Sequence, residues 1–288
     1  MFRRVIAGVK RAFGLQRPGR NLVVFPDDVF IVSYPKSGNT WTRFLVANLA
    51  YPQQRAEFGN INRLIPDPEA LSKRTLSRLP RPRYIKSHQY FDPRYPQVLY
   101  IVRDPRDVAL SQYHFHRKRK LLHDGDPVEH FVSRFVKGLT SVYGSWGENV
   151  ESWIATRGES TGFMLVRYED LLTRPLLELA RVAAFLGIEA EEEQLQKVVQ
   201  LSSAGEMREM ERKQARLWSS TKDTRQDVPF VREARAGSWK GKLPDASVAE
   251  IEAAWGSLML QLGYELSNAK VGIHCSVDGD SMLTGTAR

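Results

Sequence analysis

Cysteine and long apolar runs are the two features that this sequence of 288 residues has least of. The single cysteine, Cys275, excludes a disulfide within the chain and a zinc site built on several cysteines, so a reducing compartment is sufficient. No apolar run approaches the roughly 18 residues of a membrane-spanning helix. The first residues also lack the apolar core and the small-residue cleavage site of a secretory signal. Together these absences favour a cytoplasmic protein.

Positive charge is what the sequence has in excess. Lysine and arginine number 42 against 33 acidic residues, which gives a net charge of +9 and an isoelectric point near 9.6. This excess favours anionic partners, which include a nucleotide, a nucleic acid and an acidic membrane surface. Because no interleaved basic and aromatic surface motif is present, we expect no nucleic-acid partner.

Residues 1–20 form a distinct basic segment. Six arginine and lysine residues are mixed there with apolar residues at helical spacing, and Pro18 and Gly19 end the segment. The pattern predicts an amphipathic helix with two interpretations: peripheral contact with an anionic membrane, or a helix that is docked on the domain or frayed. We expect one domain over residues 21–266 and a disordered tail over residues 267–288, which are small and polar.

A strand, a tight turn and a helix follow one another at residues 30–49. Phe30–Ser33 is a short apolar run typical of a buried strand, Pro35 and Gly38 break it, and apolar residues then recur at helical spacing. Such a turn points backbone N–H groups at the space above the sheet, where the helix N-terminus adds partial positive charge. The sequence therefore predicts an anion site. Its candidate residues are Lys36, Ser37, Gly38, Asn39, Thr40 and Trp41.

The order of residues separates this loop from a Walker A loop, whose lysine follows the last glycine, because Lys36 precedes Gly38. Residues 34–41, Tyr-Pro-Lys-Ser-Gly-Asn-Thr-Trp, closely resemble the 5′-phosphosulfate loop of the sulfotransferases that use 3′-phosphoadenosine 5′-phosphosulfate (PAPS). A phosphate loop for another nucleotide and a plain strand-to-helix turn are the alternatives. The resemblance implies a P-loop-kinase-like fold. Alternating strands and helices independently indicate a single α/β domain with a mainly parallel central sheet and helices on both faces.

A second predicted strand, Tyr84–Tyr90, ends in polar residues that include His88. Ligands bind at such strand ends in open α/β sheets, although a lone histidine is more often structural. Sulfotransferases of this family carry Lys-x-His at this point. The resemblance implies that His88 is the general base and that Lys86 is a supporting cation.

The third predicted strand, Gln97–Val102, leads to Arg103, and Asp104 with Pro105 suits the start of a helix. An arginine at this strand end can make a bidentate contact with a phosphate. The segment resembles the family's 3′-phosphate motif, Arg-x-Pro-x-Asp-x-x-x-Ser, which implies that Arg103 and Ser111 bind that phosphate. An ordinary capped helix with surface arginines is the alternative.

The fourth predicted strand, Phe163–Tyr168, ends in Tyr-Glu-Asp, which is a further feature of the family. The resemblance implies that Tyr168 contacts the adenine, with Trp41 at its border. Ser202 and Met207 resemble adenine-side contacts less specifically. For Ser202 and the adjacent Ser203, helix capping is the alternative.

Residues 232–240 are similar to the family's C-terminal signature, Arg-Lys-Gly-x-x-Gly-x-Trp-Lys, which implies that Arg232 closes over the 3′-phosphate. Two positions depart from it: Glu233 replaces the usual lysine and Ala234 the usual glycine. Glu233 adds a repulsive charge near a phosphate, and Ala234 costs backbone freedom if the position needs a positive φ. Arg235 can restore the positive charge. We place Glu233 and Ala234 at the cofactor site and expect them to change PAPS affinity rather than cofactor identity.

Apolar spacing predicts three long helices after residue 130, over Phe131–Ile154, Pro175–Leu186 and about Ala246–Leu262. His114 and His116 form a His-x-His pair, but no carboxylate or cysteine of suitable spacing completes a metal site. We therefore expect no metal.

The activity that the resemblance implies is sulfuryl transfer from PAPS to a hydroxyl or amine of a small-molecule or lipid acceptor, with 3′,5′-ADP as the product nucleotide. The transfer is an in-line displacement in which His88 takes the acceptor proton and Lys36 stabilises the bridging oxygen. A nucleotide kinase or ATPase with an atypical phosphate loop is the alternative. The sequences of the variable loops do not identify the acceptor. No dimerisation motif is recognisable, so the oligomeric state stays open.

Overall fold

The computed structural model describes residues 22–68, 71–218 and 220–267. The helix predicted for residues 1–20, and all of the predicted tail except Ser267, lie outside the described residues. Within the described ranges, no helix combines the length and the hydropathy that crossing a bilayer needs.

Four parallel strands form the central sheet of the described residues. They are β1 (Val29–Ser33), β2 (Tyr84–Ser87), β3 (Gln97–Val102) and β4 (Phe163–Arg167). Their order is β2-β1-β3-β4. In the register, Val32 lies between Ser87 of β2 and Tyr100 of β3, so the strands end at one common edge. The predicted parallel sheet is confirmed, and His88 and Tyr168 lie just beyond strand ends rather than inside strands.

Helices connect and cover these strands. In chain order they are α1 (Asn39–Ala50), α2 (Ile61–Leu64), α3 (Lys73–Ser77), α4 (Pro105–Lys118), α5 (Val128–Val136), α6 (Trp146–Arg157), α7 (Tyr168–Thr173), α8 (Pro175–Leu186), α9 (Glu192–Leu201), α10 (Ala204–Gln214) and α11 (Asp245–Gln261). The helix predicted for Pro175–Leu186 is confirmed, and Gly187 ends it in the left-handed conformation, with a φ of 67°.

Two hydrophobic cores lie on opposite faces of the sheet. Successive side chains of a strand point to opposite faces, so Phe30 and Val32 enter one core and Val29 and Ile31 the other. The first core includes side chains of α4, α5, α6 and α11, and the second includes side chains of α1, α8, α9 and α10. The prediction of helices on both faces is therefore confirmed.

The single helix predicted for Phe131–Ile154 is wrong. The structure has two helices there, α5 and α6, joined by a loop at residues 137–145. Gly138 and Gly144 take positive φ values of 71° and 67°, which end the helical path. The apolar spacing misled because Leu139 and Val142 are 63% and 68% exposed on the loop and do not face a core.

Candidate active site

The loop after β1 has an unusual backbone. Lys36 has a φ of 73° and Gly38 a φ of 103°, both in the left-handed region. Gly38 is needed for a second reason, since a Cβ at this position would lie 2.5 Å from Cδ2 of Tyr168. For Lys36, an L-residue, the left-handed conformation costs about 1–2 kcal/mol. Strain of this kind concentrates at functional sites, where the surrounding fold holds it in place.

Polar groups of this loop are buried without protein partners. The Asn39 side chain donates to the Ile31 carbonyl at 3.0 Å and so ties the start of α1 to β1. Its Oδ1 and the Ser37 hydroxyl, however, have no hydrogen-bond partner, although Ser37 is completely buried. Leaving such groups unpaired costs about 1–3 kcal/mol each. A ligand bound at the loop could pair with both. Thr40 and Trp41 at the start of α1 are half-buried.

The Lys36 ammonium lies in a crowded, positively charged environment. Burial, and secondarily the charges of Arg103 and Arg232, lower the pKa of Lys36 to about 7. Its Nζ lies 4.2 Å from the ring centroids of both Phe115 and Phe230. A phosphate or sulfate anion placed here would stabilise the ammonium form and raise this pKa.

His88, directly after β2, has a defined tautomer. Its Nδ1 lies 2.7 Å from the carbonyl oxygen of Ser33 at the end of β1. Because a carbonyl only accepts, Nδ1 carries the proton and Nε2 keeps its lone pair. Asn149 of α6 fixes the backbone by donating to the His88 carbonyl at 3.1 Å. Burial first, and then the charge of Lys86, lower the pKa of His88 to about 3. The imidazole is therefore neutral at physiological pH.

Lys86 has a carboxylate partner. Its Nζ lies 2.6 Å from Asp67 Oδ2, and both side chains are about one-fifth exposed, at 17% and 20%. At His88 the two charges oppose each other, since Lys86 lowers the histidine's pKa and Asp67 raises it. Lys86 therefore affects His88 through its electric field.

Arg103, at the end of β3, is held on three sides. Its Nη2 lies 3.6 Å from Asp107 Oδ2 and donates to the Arg235 carbonyl at 3.3 Å, and its guanidinium lies 4.3 Å from the Tyr168 ring centroid. The Arg103 Nε, however, is buried and without a partner. On α4, Ser111 lies four residues after Asp107 and therefore on the same face of the helix as that partner of Arg103.

Asp107 is a residue that the sequence analysis did not assign. Its buried carboxylate accepts from the Gly237 amide at 2.8 Å, the Ser238 hydroxyl at 2.8 Å and the Trp239 amide at 3.0 Å. It therefore attaches the C-terminal signature to α4, beside Arg103. The sequence could have indicated this residue, because Asp107 is the aspartate of the Arg-x-Pro-x-Asp-x-x-x-Ser motif.

The two departures in the signature have clear structural consequences. Ala234 has a φ of 49°, so this position does need the left-handed conformation that glycine adopts more easily. Glu233 forms an ion pair with Lys242, and its carboxylate lies 3.6 Å from Arg232 Nη2 and 3.9 Å from Arg235 Nη2. The carboxylate is thus surrounded by cations.

A cavity of about 600 Å³ opens beside this segment. Arg208 and Arg212 of α10 line it together with Arg232 and Glu233. Arg208 is a second residue that was not predicted from the sequence to belong to the site. Its Nη2 donates to the backbone carbonyls of Arg232 at 2.7 Å and Glu233 at 3.1 Å, and so it supports the signature from the side of the cavity.

Tyr168 lies between the loop after β1 and Arg103. Its ring contacts Gly38 of the loop and Arg103, and it packs edge-on against Trp41 with the centroids 5.6 Å apart. Met207 is buried in the same core as Tyr168. Ser202 is completely buried, with its hydroxyl accepting from Asn48 and its carbonyl from the Trp41 indole. The next serine along the chain caps α10.

The site described so far holds cations at two strand ends and a neutral imidazole at a third. No group of three or more histidine, cysteine or acidic side chains among the described residues could hold a metal ion.

Residues 26–263 match the family described as "Sulfotransferase domain". The chain belongs to the sulfotransferase family. This confirms the predicted class of enzyme.

Individual relatives agree with the family assignment. Sulfotransferase 1A1 of Mus musculus is 28% identical over 257 residues, which cover 83% of this chain and 87% of the relative. A crystal structure of retinol dehydratase in complex with androsterone and the inactive cofactor PAP has a TM-score of 0.67 at 23% identity, covering 86% of this chain and 85% of that one. Mouse sulfotransferase SULT7A1 complexed with PAP has a TM-score of 0.66 at 23% identity, with 83% and 85% covered. This sulfotransferase therefore shares their fold.

Proposed function

We propose that this sulfotransferase transfers a sulfuryl group from PAPS to a hydroxyl or amine of a small-molecule or lipid acceptor. The observation that carries the proposal is a pair of buried donors without partners, the Ser37 hydroxyl and the Arg103 Nε, one in each of the two motifs that Tyr168 connects. A nucleotide with an anionic group at each end would pair with both. Two of the solved relatives contain PAP, the 3′,5′-ADP that remains when PAPS loses its sulfuryl group.

The 5′ end of the nucleotide would bind at the loop after β1. Backbone amides of the loop, with Ser37, Gly38, Asn39 and Thr40, would hold the phosphosulfate. During transfer the acceptor oxygen bonds to sulfur while the bond from sulfur to the bridging oxygen breaks, and the leaving phosphate keeps the electron pair. Lys36 would stabilise the charge that develops on that oxygen.

The 3′-phosphate would bind between α4 and the C-terminal signature. Arg103, Ser111 and Arg232 supply the donors. Burial first, and secondarily the nearby charge of Arg103, lower the pKa of Arg232, so the Arg103 charge disfavours the charge on Arg232. A bound phosphate would remove this repulsion. Glu233 and Ala234 then tune the affinity, and selectivity for PAPS over ATP-like donors follows from this end of the nucleotide.

The adenine would lie near Tyr168. Trp41 packs edge-on against Tyr168 and borders the same space. Met207 supplies apolar surface from the same core. Ser202 contributes by holding the Trp41 indole through its carbonyl, at 2.9 Å.

His88 would be the general base. Its Nδ1 proton is committed to the Ser33 carbonyl, so Nε2 is the atom that takes the acceptor proton. Lys86, balanced by Asp67, affects the basicity of His88 without contacting the reacting atoms. The anionic sulfuryl group of bound PAPS would raise the low pKa of His88 towards a value suited to accepting a proton.

The acceptor is proposed as a small molecule with a hydroxyl group. One solved relative contains androsterone, and a second retinol dehydratase complex contains retinol. Near His88, the Tyr143 ring lies with its centroid 5.5 Å from the imidazole centroid. The exposed Leu139 and Val142 on the same loop add apolar surface, which suits an acceptor with an apolar body.

Two measurements test this function. In thermal denaturation, 3′,5′-ADP should stabilise the protein strongly and ATP weakly. Stronger stabilisation by ATP would favour the kinase or ATPase alternative. Incubation of the enzyme and ³⁵S-labelled PAPS with a cell extract should then yield labelled products that identify the acceptor class. An absence of enzyme-dependent labelling across extracts from several sources would contradict the proposed transfer.

A further inference from the structure

Two aromatic rings enclose the Lys36 ammonium. Its Nζ lies 4.2 Å from the centroid of Phe115 on α4 and 4.2 Å from that of Phe230 in the segment after α10. The rings also contact each other edge to face, with centroids 6.0 Å apart and an angle of 80° between their planes. Both distances are well inside the roughly 6 Å within which a ring face attracts a cation.

The position of Phe230 is fixed by buried charges. Glu211 of α10 accepts from the Phe230 amide at 2.6 Å and from the Val231 amide at 2.9 Å. Lys118 of α4 lies 3.4 Å from the Glu211 carboxylate and donates to the Val228 carbonyl at 2.6 Å. The ring therefore has rigid support from two helices, and its contact with Lys36 is part of the fold.

Among the described residues, no carboxylate forms an ion pair with Lys36, while several cations surround it. Arg103 after β3, Lys118 on α4 and Arg232 in the signature repel the ammonium, and Glu211 is the carboxylate that attracts it from a distance. His116, next to Phe115 on α4, packs edge-on against Phe131, and its pKa is lowered by burial first, then by Arg119 and Arg134, and only slightly by Lys36. The two ring faces are thus the direct contacts that favour the charged form of Lys36.

We propose that Phe115 and Phe230 are positioning residues, whose ring faces keep the Lys36 ammonium charged and in place before PAPS binds. A carboxylate could hold the ammonium too, but it would compete with the anionic cosubstrate and would have to be displaced. Ring faces attract the charge and add no anion to the site. The inference rests on the proposed role of Lys36 at the phosphosulfate.

The consequence is a pH-dependent effect on nucleotide binding. Burial and neighbouring cations lower the pKa of Lys36 to about 7, and the rings oppose this by favouring the charged form. Removing one ring lowers this pKa further. Well below pH 6 the ammonium is charged with or without the ring, so little changes. Around pH 7–8 a smaller fraction of the variant than of the wild type carries the charge, so the variant binds an anion more weakly than the wild type does.

The test is the affinity for 3′,5′-ADP by titration calorimetry between pH 5.5 and pH 8.5, with each variant compared with the wild type at the same pH so that titration of the nucleotide cancels. We expect Phe230→Leu to bind about fivefold more weakly at pH 8, the equivalent of about 1 kcal/mol, and nearly normally at pH 5.5. Phe115→Leu should behave similarly. Phe230→Trp, which keeps a ring face, should bind like the wild type.

A double-mutant cycle separates this role from a structural one. In a Lys36→Met background, Phe230→Leu should have no further effect on affinity. An equal loss with and without Lys36, a loss that is the same at every pH, or no loss at all would overturn the inference. Failure of the proposed function would differ, since wild-type protein would then not bind 3′,5′-ADP, or Arg103→Ala would bind it normally.

Discussion

Replacing Glu233 by glutamine should tighten the binding of 3′,5′-ADP. The carboxylate forms an ion pair with Lys242 and lies 3.6 Å from Arg232 Nη2 and 3.9 Å from Arg235 Nη2. Of these cations, Arg232 is one of the proposed 3′-phosphate ligands. The carboxylate therefore competes with the phosphate for Arg232 and also repels the phosphate. Glutamine keeps the size of the side chain and removes the charge.

The expected gain in affinity for 3′,5′-ADP depends on how far the Glu233 side chain is exposed to solvent. Two unit charges about 4 Å apart interact by roughly 4 kcal/mol at an effective dielectric constant of about 20. The Glu233 side chain is 38% exposed, however, and exposed ion pairs are worth only about 0.2–1 kcal/mol each. We therefore expect a gain of about 1–1.4 kcal/mol, which corresponds to about five- to tenfold tighter binding. The gain should shrink as salt concentration rises.

The assay compares 3′,5′-ADP with 5′-AMP by calorimetry, because only the former has the phosphate in question. Glu209→Gln is the matched control, since Glu209 on α10 pairs with Arg212 at 2.5 Å and Lys213 at 3.1 Å outside the proposed site. It should leave both affinities unchanged. Weaker binding by Glu233→Gln would refute the reasoning and show that the carboxylate orders the arginines. An equal gain for both nucleotides would place Glu233 away from the 3′-phosphate.

Four further predictions concern single residues. Arg103→Ala should weaken 3′,5′-ADP binding by roughly 10- to 100-fold and 5′-AMP binding little, as calorimetry can show, and equal losses would remove the 3′-phosphate assignment. His88→Asn should abolish transfer of label from PAPS while 3′,5′-ADP affinity stays within about twofold, since neutral asparagine cannot take the proton; near wild-type turnover would disprove the base assignment. Ala234→Gly should raise the melting temperature by about 2–4 °C, because glycine relieves the strained φ of 49° and this gain outweighs the added entropy of the unfolded chain. A lower melting temperature would contradict this expectation. Burial lowers the pKa of His116 to about 4, so between pH 6.5 and pH 4 the unfolded state takes up a proton before the folded state does, and the free energy of unfolding falls. In denaturant titrations, the free energy of unfolding of His116→Gln should fall less over this pH range, and an equal fall in variant and wild type would contradict the lowered pKa.

The parts of the fold that follow local rules could be predicted from the sequence. Gln97–Val102 has the predicted bounds of β3, because an apolar, β-branched run between turn residues has few other solutions. The residues that follow the strands also come to one edge, as parallel pairing requires. The loop at residues 137–145 could not be predicted, because Leu139 and Val142 keep helical spacing and yet lie exposed outside any helix.

The contacts that complete the site depend on residues far apart in the sequence. Asp107 binds the Gly237 amide across a separation of 130 positions, and no local pattern shows this. The rings of Phe115 and Phe230 meet at Lys36 only because α4 and the segment after α10 pack together. Motifs therefore identified the candidate residues, whereas their partners and electrostatics required the structure.

The most direct test of the proposed function is a crystal structure of the full chain with 3′,5′-ADP. We expect one nucleotide with Lys36 and the loop after β1 at its 5′-phosphate and Arg103 at its 3′-phosphate, and with the Nε2 of His88 facing the open space beyond the 5′-phosphate. A nucleotide bound elsewhere, or a complex in which Lys36 and Arg103 contact separate molecules, would contradict the proposal.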